Sequence, residues 1–177
     1  MVRKKGITFS TDTGKSSIKD NYGASRFSEE YFETEEDPAQ FQPTKENILW
    51  VRKNIPDCFN AIKYKGVLIG YSFIIPCSRK LMELFLLKKL TENRLFQEVK
   101  KSADHRNFET IYMCAAVVKP EFRRRGLASA ALIKSIRKIT GTRRLKPTLF
   151  YWEYSRQGGK LASYVAKILG FRLKKRT

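Results

Sequence analysis

From position 110 onward the chain reads as strand, helix, strand, helix, strand, and one turn inside that run constrains the fold most. "TIYMCAAVV" (110–118) is apolar on both faces, the pattern of a central strand. Pro120 ends the ladder, because it has no N–H to give. "EFRRRG" turns the chain. A helix over 125–139 then carries Ala128, Ala131, Leu132, Ile136 and Ile139 along one face. "TLFYWEYS" reads as a second strand, "GKLASYVAKILG" as a second helix and "FRLKK" as a last strand. This order predicts a mixed α/β (α+β) domain, a central sheet flanked by helices.

The turn has a chemistry of its own. The first turn of a helix leaves N–H groups unpaired at its positive end, which suits phosphate oxygens. Gly126 lets the backbone come close, Ala128 leaves room, and Arg123, Arg124 and Arg125 add charge at the rim.

Upstream, "FNAIKYKGVLIGYSFIIP" is two β-rich runs around "KYKG", an antiparallel hairpin. "TKENILWVRKNI" is a helix capped by Thr44, with Ile48, Leu49 and Val51 as its apolar face. The stretch 80–102 is helical in its periodicity. Residues 1–28 are polar and read as a basic arm with one short strand at "GITFS", which puts the globular domain at 29–177. "TDTGKSS" is not a phosphate loop, since Phe9 stands where that motif needs its first glycine.

The 177 residues carry 36 Lys+Arg against 17 Asp+Glu, a formal charge of +19. Such a field favours anionic partners. It is uneven: 119–146 holds ten bases and one acid, while "EEYFETEED" (29–37) holds six acids and no base. Cys58, Cys77 and Cys114 form no CxxC pair, and His105 is the only histidine, so no metal site is expected. The settings of the cysteines point to reduced thiols and a cytoplasmic protein. "GVLIGYSFIIP" is too short to span a bilayer.

Arg123-x-x-Gly126-x-Ala128, behind a strand and a proline, resembles the cofactor signature of the GNAT superfamily of acyl-CoA-dependent N-acetyltransferases. "LASYVAKILGF" resembles the family's second helix, ending at Gly170 and Phe171. The resemblance implies an antiparallel hairpin followed by splayed parallel strands. It implies acetyl-CoA as co-substrate, its pyrophosphate on the amides of Arg124, Arg125, Gly126, Leu127, Ala128 and Ser129. The pantetheine arm would run along Ala116 and Val118. It also implies direct transfer to an amine.

The family's usual acid, a tyrosine four residues before that glycine, is replaced by Ala166, and a family asparagine by Gly159. Tyr164 is two residues from the tyrosine's place, about 200° around the helix. Candidate replacements are Glu109, Glu153 and Tyr154, with Tyr151 beside them. The acceptor amine is one on a protein, a tRNA-linked amino acid or a small molecule, and the charge favours one on an anionic partner such as a tRNA or a ribosomal particle; the number of subunits is open. The alternative is a non-catalytic nucleic-acid-binding module using the 119–146 surface and its neighbouring aromatics.

Overall fold

Strands follow chain order across one six-stranded sheet: β1 (Ile7–Phe9), β2 (Phe59–Tyr64), β3 (Val67–Cys77), β4 (Thr110–Val118), β5 (Thr148–Trp152) and β6 (Leu173–Arg176). The computed structural model describes residues 5–33, 35–102, 105, 107–141 and 146–177. The basic loop over 142–145, part of the 119–146 patch, lies outside the described residues. β1 to β4 are antiparallel, and β4–β5 and β5–β6 are parallel, so the sheet is mixed as expected. The helices are α1 (Ser10–Thr13), α2 (Ile18–Phe32), α3 (Lys45–Asn54), α4 (Arg79–Leu86), α5 (Glu92–Lys100), α6 (Leu127–Thr140) and α7 (Arg156–Leu169).

Residues 7–28 are built into this sheet and core. β1 pairs with β2, and the boundary read at residue 28 falls inside α2. Local composition hides this, because the segment's partners are distant in sequence. Asn60, fully buried on β2, accepts from Ser10 Oγ at 3.3 Å and donates to the Ala131 carbonyl at 3.1 Å. It thereby ties the start of α1, directly after β1, to α6. Phe9, Ile62, Ile69 and Val118 form a small core with Leu127 and Ala131, the residues that open α6.

α2 starts with a capping box: Ser17 accepts from the Asp20 amide, and Asp20 accepts from the Ser17 amide. Lys63 of β2 adds an ion pair to Asp20 at 2.8 Å. Burial pushes the Asp20 carboxyl up, but the bonds from Lys63 and Ser17 outweigh it and hold it below the ordinary carboxylate range. A depressed folded pKa contributes stability above the unfolded value, and that stability is lost as pH falls through the folded one. Asp20→Ala is therefore expected to cost about 1–3 kcal/mol at neutral pH. The gap between variant and parent should close below about pH 4, where the unfolded carboxyl takes up its proton. Urea melts at two pH values check this.

The expected helix over 80–102 is two helices. Lys88 has φ of 61°, in the left-handed region, and Thr91 starts α5 by accepting from the Arg94 amide. α3 is capped by Thr44 as read, but Leu49 is exposed while Ile48 and Val51 are buried.

Candidate active site

β4 is the axis of the site. It pairs with β3 from Thr110 to Val118, but with β5 only at Thr110, Ile111 and Tyr112. An irregularity in β4 lies two residues further on. Phe73 faces Ala115 and Ile74 faces Met113, so Cys114 is an extra residue in β4. Such a bulge bends its strand. From Met113 onward β4 and β5 are apart, and a groove of about 730 Å³ opens between them.

The backbone facing the groove follows from the ladder. Lys119 N–H donates to the Ile69 carbonyl at 2.9 Å, so residues 119 and 117 turn their polar groups to β3. By alternation, Ala116 and Val118 turn theirs away from β3, toward the gap. The Val118 carbonyl is already taken, by Arg123 Nε at 2.9 Å. Arg123 also lies over the Tyr31 ring, with its guanidinium 5.2 Å from the centroid.

At the end of β4 the chain passes a 3-10 turn, Pro120–Phe122, and enters α6 through Gly126. Gly126 has φ of 69° and Arg124 has φ of 58°. Left-handed residues in such a turn aim successive amides to one concave side. The first bond within α6 is from Ala130 N–H to the Gly126 carbonyl at 3.1 Å, so the amides of Leu127, Ala128 and Ser129 stand ahead of it. Leu127 and Leu132 fix the helix beneath.

Ala116, Val118, Arg123, Arg124, Gly126, Leu127, Ala128 and Ser129 all line this groove. Arg125 does not: it donates to the Glu121 carbonyl at 2.9 Å and lies over Phe122. Tyr154 is on the lining, half-exposed, with its ring edge-on to Phe32 at 5.6 Å.

Glu109 and Glu153 are not brought to the groove. Glu109 is at the opposite end of β4, exposed, 3.6 Å from Arg79 and accepting from the Arg79 amide. Glu153 pairs with Lys175 at 2.7 Å, raising the Lys175 pKa. Its carboxylate also fills the space a side chain at Gly159 would need. Tyr151 lines the groove, and burial, with Glu153 near it, pushes its hydroxyl up. Tyr164 is exposed on α7 while Ala166 is buried.

A second, inner cavity adjoins the groove and shares Phe32, Cys114, Ala115, Trp152 and Tyr154 with it. α2, the 40–43 segment, α3, α5 and the faces of β3 and β4 enclose it. Among the described residues its one carboxylate is Glu92, 7% exposed, a residue the sequence reading passed over. Glu92 Oε1 accepts from Tyr112 Oη at 2.6 Å and from Cys114 Sγ at 3.5 Å, and Oε2 accepts from the Phe41 amide at 2.5 Å. Burial pushes its carboxyl up, against these bonds and the field of Arg176. The signal was present in sequence: Glu92 occupies the same helix face as Leu95, Phe96 and Val99, an acid on an apolar stripe.

None of the three thiols is poised as a nucleophile. Burial pushes Cys77 up to about 12, and Cys58 and Cys114 are raised as well. His105 packs edge-on against Trp50. Among the described residues no group of three or more His, Cys, Asp or Glu is placed to hold a metal ion. No helix among them is long and apolar enough to cross a membrane.

A central strand split from its neighbour beside an open helix start is the architecture of an acyl-CoA-dependent acyltransferase. The chain belongs to the acetyltransferase (GNAT) family, whose model matches residues 24–171. Among solved structures, it is similar to the diaminobutyrate acetyltransferase EctA from Paenibacillus lautus, in complex with L-2,4-diaminobutyric acid and coenzyme A. The identity is 13% and the TM-score 0.39, over 73% of this chain and 56% of that one. The chain thus spans just over half the length of that protein. No curated protein matches the chain.

Proposed function

We propose that this protein moves an acetyl group from acetyl-CoA directly to an amine held in the same complex. The observation that carries the reading is the parting of β4 from β5 at Tyr112, beside the open amides of α6. The pyrophosphate rests on the amides of Leu127, Ala128 and Ser129, with Arg124 at the rim. The amide-bearing arm lies along β4 and satisfies the free backbone of Ala116. Arg123 acts indirectly, by holding the Val118 carbonyl and the end of the strand. The thioester then reaches Cys114 and Ala115, the wall common to groove and inner cavity. Tyr154, at the same junction, is the hydroxyl placed to give a proton to the departing thiolate.

The strongly basic surface supports an anionic partner such as a tRNA or a ribosomal particle, bound apart from the acceptor amine. Among the described residues no lysine, arginine or histidine lines the inner cavity, so any such partner is read outside it.

Titration calorimetry with acetyl-CoA tests the reading. Saturable one-site binding is expected, together with thiol release once an amine is supplied. No binding of acetyl-CoA, alongside a salt-steep gel shift with RNA, would overturn it in favour of a nucleic-acid module.

A further inference from the structure

The inner cavity is more selective than an amine site has to be. Its walls are mostly aromatic and aliphatic, with Phe41, Phe59, Tyr71, Phe73 and Trp152 among them, and Asn21, Ser25, Ser28 and Gln40 add uncharged polar groups along one side. Against them stands one carboxylate. Glu92 has no Lys, Arg or His within ion-pair reach among the described residues. A carboxylate offers about four acceptor positions. Tyr112, Cys114 and the Phe41 amide fill three of them, which leaves one on a side chain that borders the cavity.

We infer that this cavity is the acceptor site for a small free primary amine on an apolar, preferably aromatic, body, and that Glu92 receives the amine and its proton. The inference rests on the acetyltransferase reading. Aromatic faces attract an ammonium as it enters. A second positive charge, as in a polyamine, finds no second acid. A carboxylate, as in a free amino acid, finds no cation. Either would be left buried and unpaired, which discriminates strongly.

The proton balance closes. The entering ammonium, with a pKa near ~10, must become neutral to attack. Burial raises the Glu92 carboxyl and so favours its neutral form. The ammonium proton passes to Glu92, leaving an amine and a carboxylic acid. The nitrogen lone pair forms the C–N bond at the thioester carbonyl. The C–S bond breaks with its pair on sulfur. The nitrogen's extra proton passes through Tyr154 to the thiolate, giving the acetamide and free CoA. Glu92 returns its proton to solvent after release. The groups that set its titration are Tyr112 and Cys114 of β4, Tyr71 of β3 and Arg176 of β6.

The test measures thiol release from acetyl-CoA with 2-phenylethylamine, isopentylamine, spermidine, lysine and phenylalanyl-tRNA as acceptors. The two apolar amines are expected to exceed spermidine and lysine at least tenfold in kcat/KM. Glu92→Gln keeps the shape and is expected to lower kcat/KM for 2-phenylethylamine at least 100-fold, with acetyl-CoA Kd within twofold of the parent. Its remaining rate should climb about tenfold per pH unit as solution supplies neutral amine, while the parent's rate is flatter. Ser25→Trp, on the half-buried lining of the cavity, should raise the amine KM at least tenfold and leave acetyl-CoA Kd alone. Preference for spermidine, lysine or phenylalanyl-tRNA, or an unchanged pH profile in Glu92→Gln, overturns the inference. Failure to bind acetyl-CoA removes the enzyme reading and this one together; binding without apolar-amine transfer removes only this one.

Discussion

Gly126→Glu is expected to weaken acetyl-CoA binding at least 100-fold while leaving the protein folded. Two effects combine. Gly126 has φ of 69°, where a residue with a Cβ is strained by about 1–2 kcal/mol. That strain falls on the turn that aims the amides of α6. The larger effect is electrostatic. A carboxylate placed at the helix start satisfies the same amides from inside the protein and repels the pyrophosphate. A 100-fold loss corresponds to about 2.8 kcal/mol. Gly126→Ala isolates the strain: around its Cβ the nearest atom is Ser129 Oγ at 3.8 Å, so it should lose less than tenfold. Calorimetry on both variants, with thermal melts as the folding control, separates the terms. Equal affinity in Gly126→Glu and the parent would remove the helix start from the binding site.

That turn was legible because every feature that makes it is local. The proline, the glycine, the small residues and the apolar run before them lie within about twenty consecutive positions, and β4 has the bounds its sequence pattern predicts. The hairpin at Lys65 and Gly66 was legible for the same reason: both residues have positive φ, and the dipeptide advertises it. The rest depends on distant partners. β1 exists because Tyr64, Lys63 and Ile62 are there to pair with it. The strand at "GITFS" is where the sequence pattern puts it, but nothing in it shows that it joins the central sheet and not a separate arm. The break between α4 and α5 was masked because both helices bury apolar faces and the periodicity runs through. Glu109 and Glu153 attracted attention as acids near the right strands, but each has a surface cation beside it. Glu92 was passed over for the opposite reason. The apolar helix stripe it shares is local, but the partners that receive its carboxylate, the Phe41 amide and Tyr112, lie 51 and 20 positions away.

Gly70→Ala should damage stability and cofactor binding together, from a position outside the groove lining. Gly70 faces Val118 across the β3–β4 ladder. A Cβ there would collide with the Val117 carbonyl oxygen and come within 3.0 Å of the Val118 Cα. Both obstacles are backbone, so no side chain can swing aside. The available relief is for β4 to move away from β3, and on that side lies the split from β5. The displaced strand would narrow the groove, turn Ala116 out of line and pull on the carbonyl that Arg123 holds. Overpacking of this kind costs about 1–3 kcal/mol. For a chain of this size that lowers Tm by roughly 3–10 °C. Acetyl-CoA affinity should fall with it. Gly66→Ala, four residues away at the hairpin tip, is the control: its φ is 83° but nothing lies within 4 Å of its Cβ. It should show the backbone strain alone and bind acetyl-CoA like the parent. If Gly70→Ala melts and binds like Gly66→Ala, the contact at Val117 does not hold β4 in place.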